Sequence, residues 1–247
     1  MKVTAYKTDK ITSRSHDLFA LLDTTLPSLP EECVVAVAAK IVSLSEGRAV
    51  QAEDSQKDDL IKQESQWYLP RAGKYKLCFT ITHDMLIPTA GIDESNSNDN
   101  FILWPVDPQA SANAVREHLI EKHGRRHIGV IITDSTTRPS QWGTTGIAIA
   151  YSGFKPLKDY VGQGDIFNRK LQFQKASIAN GLAATAVTLM GEGSEQTPIA
   201  LLEDLPFVEF QDRNPTEQEL DDLRIERDED IYAPFLNAVD WQRGGQS

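Results

Sequence analysis

The sequence predicts a mixed α/β fold, because strand-like and helix-like apolar segments alternate along the whole chain. Its 247 residues are enough for one large or two small domains. The composition, with 40% hydrophobic and 25% charged residues, is that of an ordinary globular protein, so it excludes global disorder. No repeat of fixed period is visible, and the absence of a Pro/Ser/Gly linker predicts one unit of two interwoven lobes over residues 1–240.

Six short apolar segments predict strands, because each is bounded by Gly, Pro, Asp or Lys. They are Val34 to Ala39, Lys76 to Thr82, Phe101 to Trp104, Ile128 to Thr133, Gly146 to Tyr151 and Ile199 to Leu202.

Four segments predict helices, and three of them carry a recognisable end signal. Gly124 and Gly191 stand where C-cap glycines end helices, while Asn214-Pro215 has the N-cap residue and first-turn proline that begin one. The many small and apolar residues before Gly191 predict a helix buried on most sides. The helices are predicted at Ser55 to Trp67, Ala110 to Lys122, Ser177 to Met190, and from Asn214 onward.

The C-terminal region is strongly acidic between Asp221 and Asp230, which predicts a solvated helix face. Residues 241–247 are predicted to form a flexible tail, since the stretch from Arg243 is polar and rich in glycine.

Charge and cysteine usage exclude several classes of protein. The chain has 36 acidic and 25 basic residues and a net charge of −11, which disfavours nucleic acid and anionic membranes as partners. Cys33 and Cys78 lie in apolar runs outside any CxxC spacing, so we expect buried free thiols and a cytoplasmic location. No apolar run has the length of a signal peptide or a membrane span.

Polar residues directly follow the buried strand Ile128 to Thr133, in the order Asp134-Ser135-Thr136-Thr137-Arg138-Pro139. A carboxylate, hydroxyls and an arginine at the carboxyl edge of a sheet are typical of ligand sites in α/β proteins. The alternative is an Asx or Ser/Thr turn that merely leaves the strand.

Three further segments are candidates for binding. Ala90 to Asn96 combines Gly91 with the hard oxygen donors of Asp93 and Asn96. Met190 to Pro198 contains glycines whose N–H groups could approach a phosphate, with Glu192 between them, or it is simply a helix stop. Lys40, at a strand end, is a point charge suited to phosphate, although such lysines are usually only solvated. Neither a P-loop nor a Rossmann fingerprint is present.

Taken in order, several rare segments resemble the coenzyme F420-0:gamma-glutamyl ligase family. They are Lys40 to Ser43 with Glu46-Gly47, Ala90 to Asn96, Val130 to Ser135, Arg138-Pro139, Gly143 to Ala150, Gly164 to Phe167, and Met190 to Gly193. The resemblance implies a mixed, two-lobed α/β fold and an intertwined homodimer. It also implies a GTP-dependent enzyme that adds L-glutamate to a carboxylate-bearing coenzyme precursor. Its cofactors would be two Mg²⁺ or Mn²⁺ ions and a monovalent cation such as K⁺.

The resemblance also implies roles for particular residues. The metal ligands fall on Asp93, Asp134, Ser135 and Glu192. Guanine-nucleotide contacts fall on Asn96, Ala39, Lys40, the loop Met190 to Thr197, and Lys10, Ile11 and Thr12 in the N-terminal segment. Within that loop the contacts are Met190, Gly191, Gly193, Ser194, Glu195, Gln196 and Thr197. Activation of a carboxylate by a nucleotide brings several anions together, so divalent ions would neutralise the γ-phosphate, and Arg138 is a candidate for stabilising the transferring phosphoryl group.

Some residues depart from the family pattern. Asn180-Gly181 stands where an acidic pair is common, Leu44 where lysine is frequent, and Asn168 where glycine is common. These departures leave open a changed acceptor or a non-catalytic dimeric nucleotide- or pterin-binding homologue. A metal-dependent phosphohydrolase would share the carboxylates. The segments Asn100 to Pro105 and Met190 to Ala200 look more like the folate-metabolism branch of the family, which favours a folate over an F420-type acceptor.

Overall fold

A computed structural model describes residues 1–12, 16–53 and 56–246. The strands are β1 (Lys2–Tyr6), β2 (Cys33–Ala38), β3 (Ala49–Gln51), β4 (Trp67–Tyr68), β5 (Phe79–Thr82), β6 (Met85–Pro88), β7 (Asn100–Ile102), β8 (Ile128–Thr137), β9 (Thr144–Ser152), β10 (Leu157–Asp159), β11 (Lys175–Ser177), β12 (Ile199–Glu203) and β13 (Gln242–Arg243). The helices are α1 (Leu18–Thr25), α2 (Ala39–Ser45), α3 (Lys57–Gln63), α4 (Pro108–His123), α5 (Ile178–Met190), α6 (Glu217–Asp221) and α7 (Ala233–Leu236). The predicted mixed α/β class is confirmed.

The chain divides into two compact units, each made of separate stretches of sequence. Unit 1 comprises Met1–Ile11, His16–Val42 and Asp107–Asn214. Unit 2 comprises Thr12, the described residues of Ser43–Val106, and residues 215–246. No helix among the described residues is both long enough and apolar enough to cross a bilayer.

Unit 1 contains a five-stranded sheet in the order β1-β12-β2-β8-β9. Strands β2 and β8 are parallel, and every other pair is antiparallel. Both central strands read as continuous apolar runs because both faces are covered. On one face Val35, Val37 and Val130 pack in a core with α1 and α4, while α5 packs against β9, β1, β12 and β8.

Helix α4 ends at the predicted C-cap Gly124 and begins two residues before the predicted start at Ala110. The Asp107 side chain accepts a hydrogen bond from the Ala110 amide, Pro108 lies in the first turn, and Gly124 ends the helix with φ 62°. Ala112, Val115 and Leu119 form the buried stripe.

Helix α5 begins after its N-cap Ser177 and ends before Gly191, as predicted. The prediction that it is buried on most sides is wrong. Ala179, Leu182, Ala183, Ala186, Val187 and Met190 are buried, but Asn180, Gly181, Thr188 and Leu189 are exposed. The helix covers the sheet with one side only, and small residues on that side let it approach closely.

Unit 2 contains the antiparallel sheet β13-β4-β5-β6 and the pair β3-β7. Its core includes Leu60, Ile61, Cys78, Ile92 and Phe101. Both cysteines are buried free thiols, as predicted.

The C-terminal region differs from the expected frayed tail. Gln242 and Arg243 pair with β4, and the Gly244, Gly245 and Gln246 amides donate to backbone carbonyls of residues 62–66. These hydrogen bonds need partners distant in sequence, which local composition does not reveal.

Two predicted helices also differ. The last helix begins at the Thr216–Glu219 capping box, because the Asn214 side chain is instead hydrogen-bonded to Arg116, Ser152 and Glu117. It ends at Asp221, so the rest of the acidic run lies beyond the helix and does not form a helix face. The acidic residues of the run are exposed except Asp230, which is half-buried. The helix predicted from Ser55 covers only Lys57–Gln63, and Ser55 itself lies outside the described residues.

Candidate functional site

The polar residues after Thr133 lie on the strand and not in a turn, since β8 continues to Thr137. Strand β2 ends opposite Thr133, so Asp134 to Thr137 pair only with β9. This overhang is half-buried at Asp134 and Ser135 and exposed from Thr137 onward. The turn interpretation is therefore wrong, and the polar residues stand at the carboxyl edge of the parallel pair, where α/β sheets bind ligands.

Ser135 and Glu192 come together at this edge. The Ser135 hydroxyl lies 2.9 and 2.8 Å from the two carboxylate oxygens of Glu192. Glu192 directly follows Gly191, which ends α5 with φ 83°. The register of α5 against the sheet thus places a carboxylate beside a strand hydroxyl that is 57 residues away in sequence.

Asp134 occupies a different position from Ser135. Successive side chains of a strand point to opposite faces, so the Asp134 carboxylate is directed away from the face on which Ser135 meets Glu192. The overhang can therefore offer oxygen donors on both faces of the sheet.

The loop from Met190 to Pro198 is held in shape by its own side chains. The Gly193 amide donates to the Glu195 carboxylate at 2.8 Å, and the Thr197 hydroxyl donates to the Met190 carbonyl. Gly191 has φ 83°, a left-handed backbone conformation that favours glycine, and the Glu195 side chain occupies the space where a Cβ would begin.

The end of this loop is hydrogen-bonded to residues next to the segments that the resemblance assigned to nucleotide binding. The Pro198 carbonyl accepts from Ala38 N, and the Gln196 carbonyl accepts from Thr8 N, both at 2.9 Å. Ala39 and Lys40 open α2 directly after Ala38. The structure thus brings the loop, the start of α2 and the residues after β1 together in unit 1. Lys10 and Ile11 belong to unit 1, while Thr12 belongs to unit 2.

Arg138 is exposed and follows β8. The hydrogen bonds of the Ser135 hydroxyl at 2.9 and 2.8 Å both go to Glu192 and not to Arg138. The predicted role of Arg138 therefore stays a prediction.

Asp93 and Asn96 lie in unit 2, on a segment with an unusual backbone. Asp93 N donates to the Ile102 carbonyl and its carbonyl accepts from Ile102 N, at 3.0 and 2.9 Å. Its carboxylate oxygen Oδ1 accepts from both the amide and the hydroxyl of Ser95 at 2.7 Å. Asn96 has φ 51°. The backbone and the carboxylate of Asp93 are thus both held in place.

Two of the departures from the family pattern have structural explanations. The Asn180 side chain accepts from the Ala148 amide at 3.0 Å, beside the irregularity at Ile132 and Thr133 in the β8–β9 register. Leu44 is 7% exposed and packs in the interior, so it contributes burial at that position and no charge.

Comparison with known proteins decides the family. A model of the F420-0:gamma-glutamyl ligase family matches residues 7–204, which is most of the chain. The chain belongs to this family. The match confirms the resemblance read from the sequence segments.

Several curated relatives carry the name coenzyme F420:L-glutamate ligase. The one from Methanosarcina mazei is 31% identical over 195 residues, covering 72% of this chain and 76% of the relative. The one from Methanococcus maripaludis strain C7 is 36% identical over 150 residues, covering 61% and 58%. That from Archaeoglobus fulgidus is 40% identical over 117 residues, covering 47% of each. The chain spans less than two thirds of the Methanococcus relative. These names give no support to the folate branch that the sequence favoured.

Sequence reasoning missed the residues that hold the Asp93 segment in place, above all Thr80 and Trp104. The sequence did show a glycine, Gly91, followed by a ligand-type carboxylate. Thr80 and Trp104, which contact this turn, lie 11 residues before and 13 residues after Gly91, in separate elements.

Proposed function

We propose that this chain is a ligase that joins the amino group of L-glutamate to a carboxylate of an F420-type coenzyme precursor. The reaction converts GTP to GDP and inorganic phosphate. The observation that carries the proposal is the family match over residues 7–204. The names of the relatives favour an F420-type acceptor, so a folate becomes the comparison substrate.

The proposed reaction has two balanced steps. An acceptor carboxylate oxygen attacks the γ-phosphorus of GTP, the bond to the β,γ-bridging oxygen breaks, and GDP leaves with the electron pair. The amino nitrogen of glutamate then attacks the acyl carbon of the resulting acyl phosphate, inorganic phosphate leaves, and the nitrogen loses a proton to water. Both steps gather anions, so the site must supply positive charge or polar donors where the phosphoryl group moves.

The donor chemistry of this chain suits a hard divalent cation. Ser135 and Glu192 place a hydroxyl and a carboxylate within 2.9 Å of each other, and Asp134 supplies a further carboxylate in the same unit. Asp93, in unit 2, stays a predicted ligand. Among the described residues, no three His, Cys, Asp or Glu side chains form a cluster that could hold a metal ion. Mg²⁺ is commonly held by one or two carboxylates together with substrate phosphates, so a partial protein ligand set is what a nucleotide-dependent site requires. When bound, Mg²⁺ or Mn²⁺ would neutralise charge on the transferring phosphoryl group.

The remaining roles fall to the loop and to two basic residues. Lys40 supplies a point charge for a phosphate, and Arg138 a guanidinium for the moving phosphoryl group. The Glu195 carboxylate has to leave the Gly193 amide before a phosphate oxygen can accept there, because one N–H cannot serve two anions well. A monovalent cation such as K⁺ and a homodimeric assembly complete the proposal.

The test is incubation of the full chain with GTP, Mn²⁺, L-glutamate and either the F420 precursor or a folate. We expect GDP and a product heavier by one glutamyl residue with the F420 precursor. Phosphate release that does not depend on glutamate would instead support a phosphohydrolase. Tight GTP binding without turnover on either acceptor would support the non-catalytic homologue. Sedimentation of the same sample tests the homodimer.

Variants at the overhang test the assigned residues. Glu192→Gln keeps an oxygen for the Ser135 hydroxyl but removes the charge, so we expect a loss of turnover of roughly 100-fold or more with the fold retained. Asp134→Asn should behave in the same way. Glu209→Gln is the control, because Glu209 is an exposed acid of the same unit that pairs with Lys155. Equal activity of Glu192→Gln and Glu209→Gln would contradict the metal assignment.

A further inference from the structure

Three consecutive residues before Ile92 and Asp93 have left-handed backbone conformations. Thr89, Ala90 and Gly91 have φ values of 54°, 53° and 70°. Non-glycine residues rarely adopt this region, and a β-branched residue such as Thr89 does so least readily. Such a run persists only where the surrounding structure over-determines it.

Thr80 supplies a buried side-chain contact to the middle of this run. Its hydroxyl is fully buried, accepts from the Ala90 amide at 3.0 Å, and donates to the Ile87 carbonyl at 2.7 Å. One hydroxyl thus links the end of β6 to the left-handed turn.

Backbone contacts and an aromatic ring complete the support. Thr89 N donates to the Cys78 carbonyl at 2.7 Å, and Ile92 N donates to the Thr89 carbonyl at 2.9 Å. The Trp104 ring occupies the space beside Gly91 where a side chain would otherwise begin. The turn is therefore fixed from β5, from β6 and from the residues after β7.

The direction of the Asp93 backbone follows from this turn. Asp93 is two residues beyond Gly91 and pairs with Ile102 on its other side. A relaxed turn would shift the point at which the chain enters that pairing, and with it the carboxylate held by Ser95.

We propose that Thr80 is a positioning residue, whose hydroxyl holds the left-handed turn and thereby sets the affinity of the Asp93 carboxylate for a divalent cation. The inference rests on the proposed function, because that proposal assigns Asp93 as a metal ligand. Thr80 itself touches neither cation nor substrate in this role.

The experiment compares Thr80→Val, Thr80→Ser and Thr82→Val in the full chain. Thr82 is the matched control, since it is a threonine of β5 that is buried to nearly the same extent. Among the described residues its hydroxyl has one hydrogen bond, which it donates to Thr80 Oγ1 at 3.2 Å. Two quantities are measured. One is the Mn²⁺ dissociation constant in the presence of a non-hydrolysable GTP analogue. The other is amide hydrogen exchange over residues 89–93.

We expect Thr80→Val to raise the Mn²⁺ dissociation constant about tenfold, the size of effect seen when a group that orients a ligand is lost. Exchange over residues 89–93 should accelerate in the same variant. Thr80→Ser keeps the hydroxyl and should restore both values, while Thr82→Val should change neither.

Two results would overturn the inference in distinguishable ways. If Asp93→Asn weakens Mn²⁺ binding but Thr80→Val matches Thr82→Val, the positioning role falls and the proposed function stands. If Asp93→Asn binds Mn²⁺ as the unmodified chain does, the metal role of Asp93 fails and the inference fails with it.

Discussion

Replacement of Gly91 by alanine should destabilise the protein through a collision with one identified side chain. Gly91 has φ 70°, and a Cβ at this position would lie 2.2 Å from Nε1, 2.3 Å from Cε2 and 2.8 Å from Cδ1 of Trp104. These atoms belong to one rigid ring that is only 4% exposed. The ring cannot move aside without disturbing the packing around it.

The expected cost has two parts. Placing an L-residue other than glycine in the left-handed region costs about 1–2 kcal/mol. Forcing an extra carbon into a packed interior costs about 1–3 kcal/mol more. We therefore expect Gly91→Ala to lower the free energy of unfolding by about 2–5 kcal/mol.

Gly73→Ala separates these two parts. Gly73 also has φ 70°, but a methyl group at this position would meet nothing within 4 Å, so only the backbone cost of about 1–2 kcal/mol applies. Urea denaturation followed by far-UV circular dichroism measures both variants. The difference between their unfolding free energies is the packing cost.

Removal of the Trp104 ring should relieve the collision. In a Trp104→Ala background the collision is absent, so Gly91→Ala should then cost no more than Gly73→Ala does in the original chain. Equal destabilisation by the two glycine variants in the original background would refute the proposed collision.

Three further predictions concern stability, thiol reactivity and pH. Gly181→Ala should raise the free energy of unfolding by about 1 kcal/mol and the Tm by about 2–4 °C in a thermal melt, because its methyl would enter open space on α5; an unchanged Tm would count against this. Burial raises the pKa of Cys33 to about 12 and also raises the pKa of Cys78. Since the thiolate is the reactive form, a thiol reagent should modify both only after denaturation, and rapid reaction of the native protein would be inconsistent with burial. Burial lowers the pKa of His123, whose Nδ1 accepts from the Leu29 amide. The unfolded chain therefore binds more protons below about pH 6.5, and the unfolding free energy should fall more steeply with acidification in the original chain than in His123→Asn; equal slopes would exclude this histidine as the cause.

The elements that the sequence predicted well are those whose signals are local. Helix α4 was placed to within two residues at either end, because its apolar stripe and the C-cap Gly124 are visible in the chain itself. The N-cap Asp107 and the first-turn Pro108 were not used, which is why the predicted start at Ala110 is two residues late. The central strands β2 and β8 were found because both faces of each are buried, which leaves a continuous apolar run.

The elements that were missed depend on partners elsewhere. Strand β13 forms because Gln242 and Arg243 pair through their backbones with Tyr68 and Trp67. The polar, glycine-rich sequence of the tail does not predict that pairing. Strand β8 extends to Thr137 because β9 supplies hydrogen-bond partners as far as Thr144, so a composition change at Asp134 did not end the strand.

The sequence by itself determined the family and the candidate ligand residues, because several rare segments in one order are a property of the chain alone. Only the tertiary structure decided that Ser135 meets Glu192 and that Glu195 holds the Gly193 amide. The same is true of the left-handed turn before Asp93, whose support comes from Thr80 and Trp104. Such contacts join residues that become neighbours only once strand register and helix packing are set. Short-range sequence patterns do not predict that register, so they do not predict these contacts.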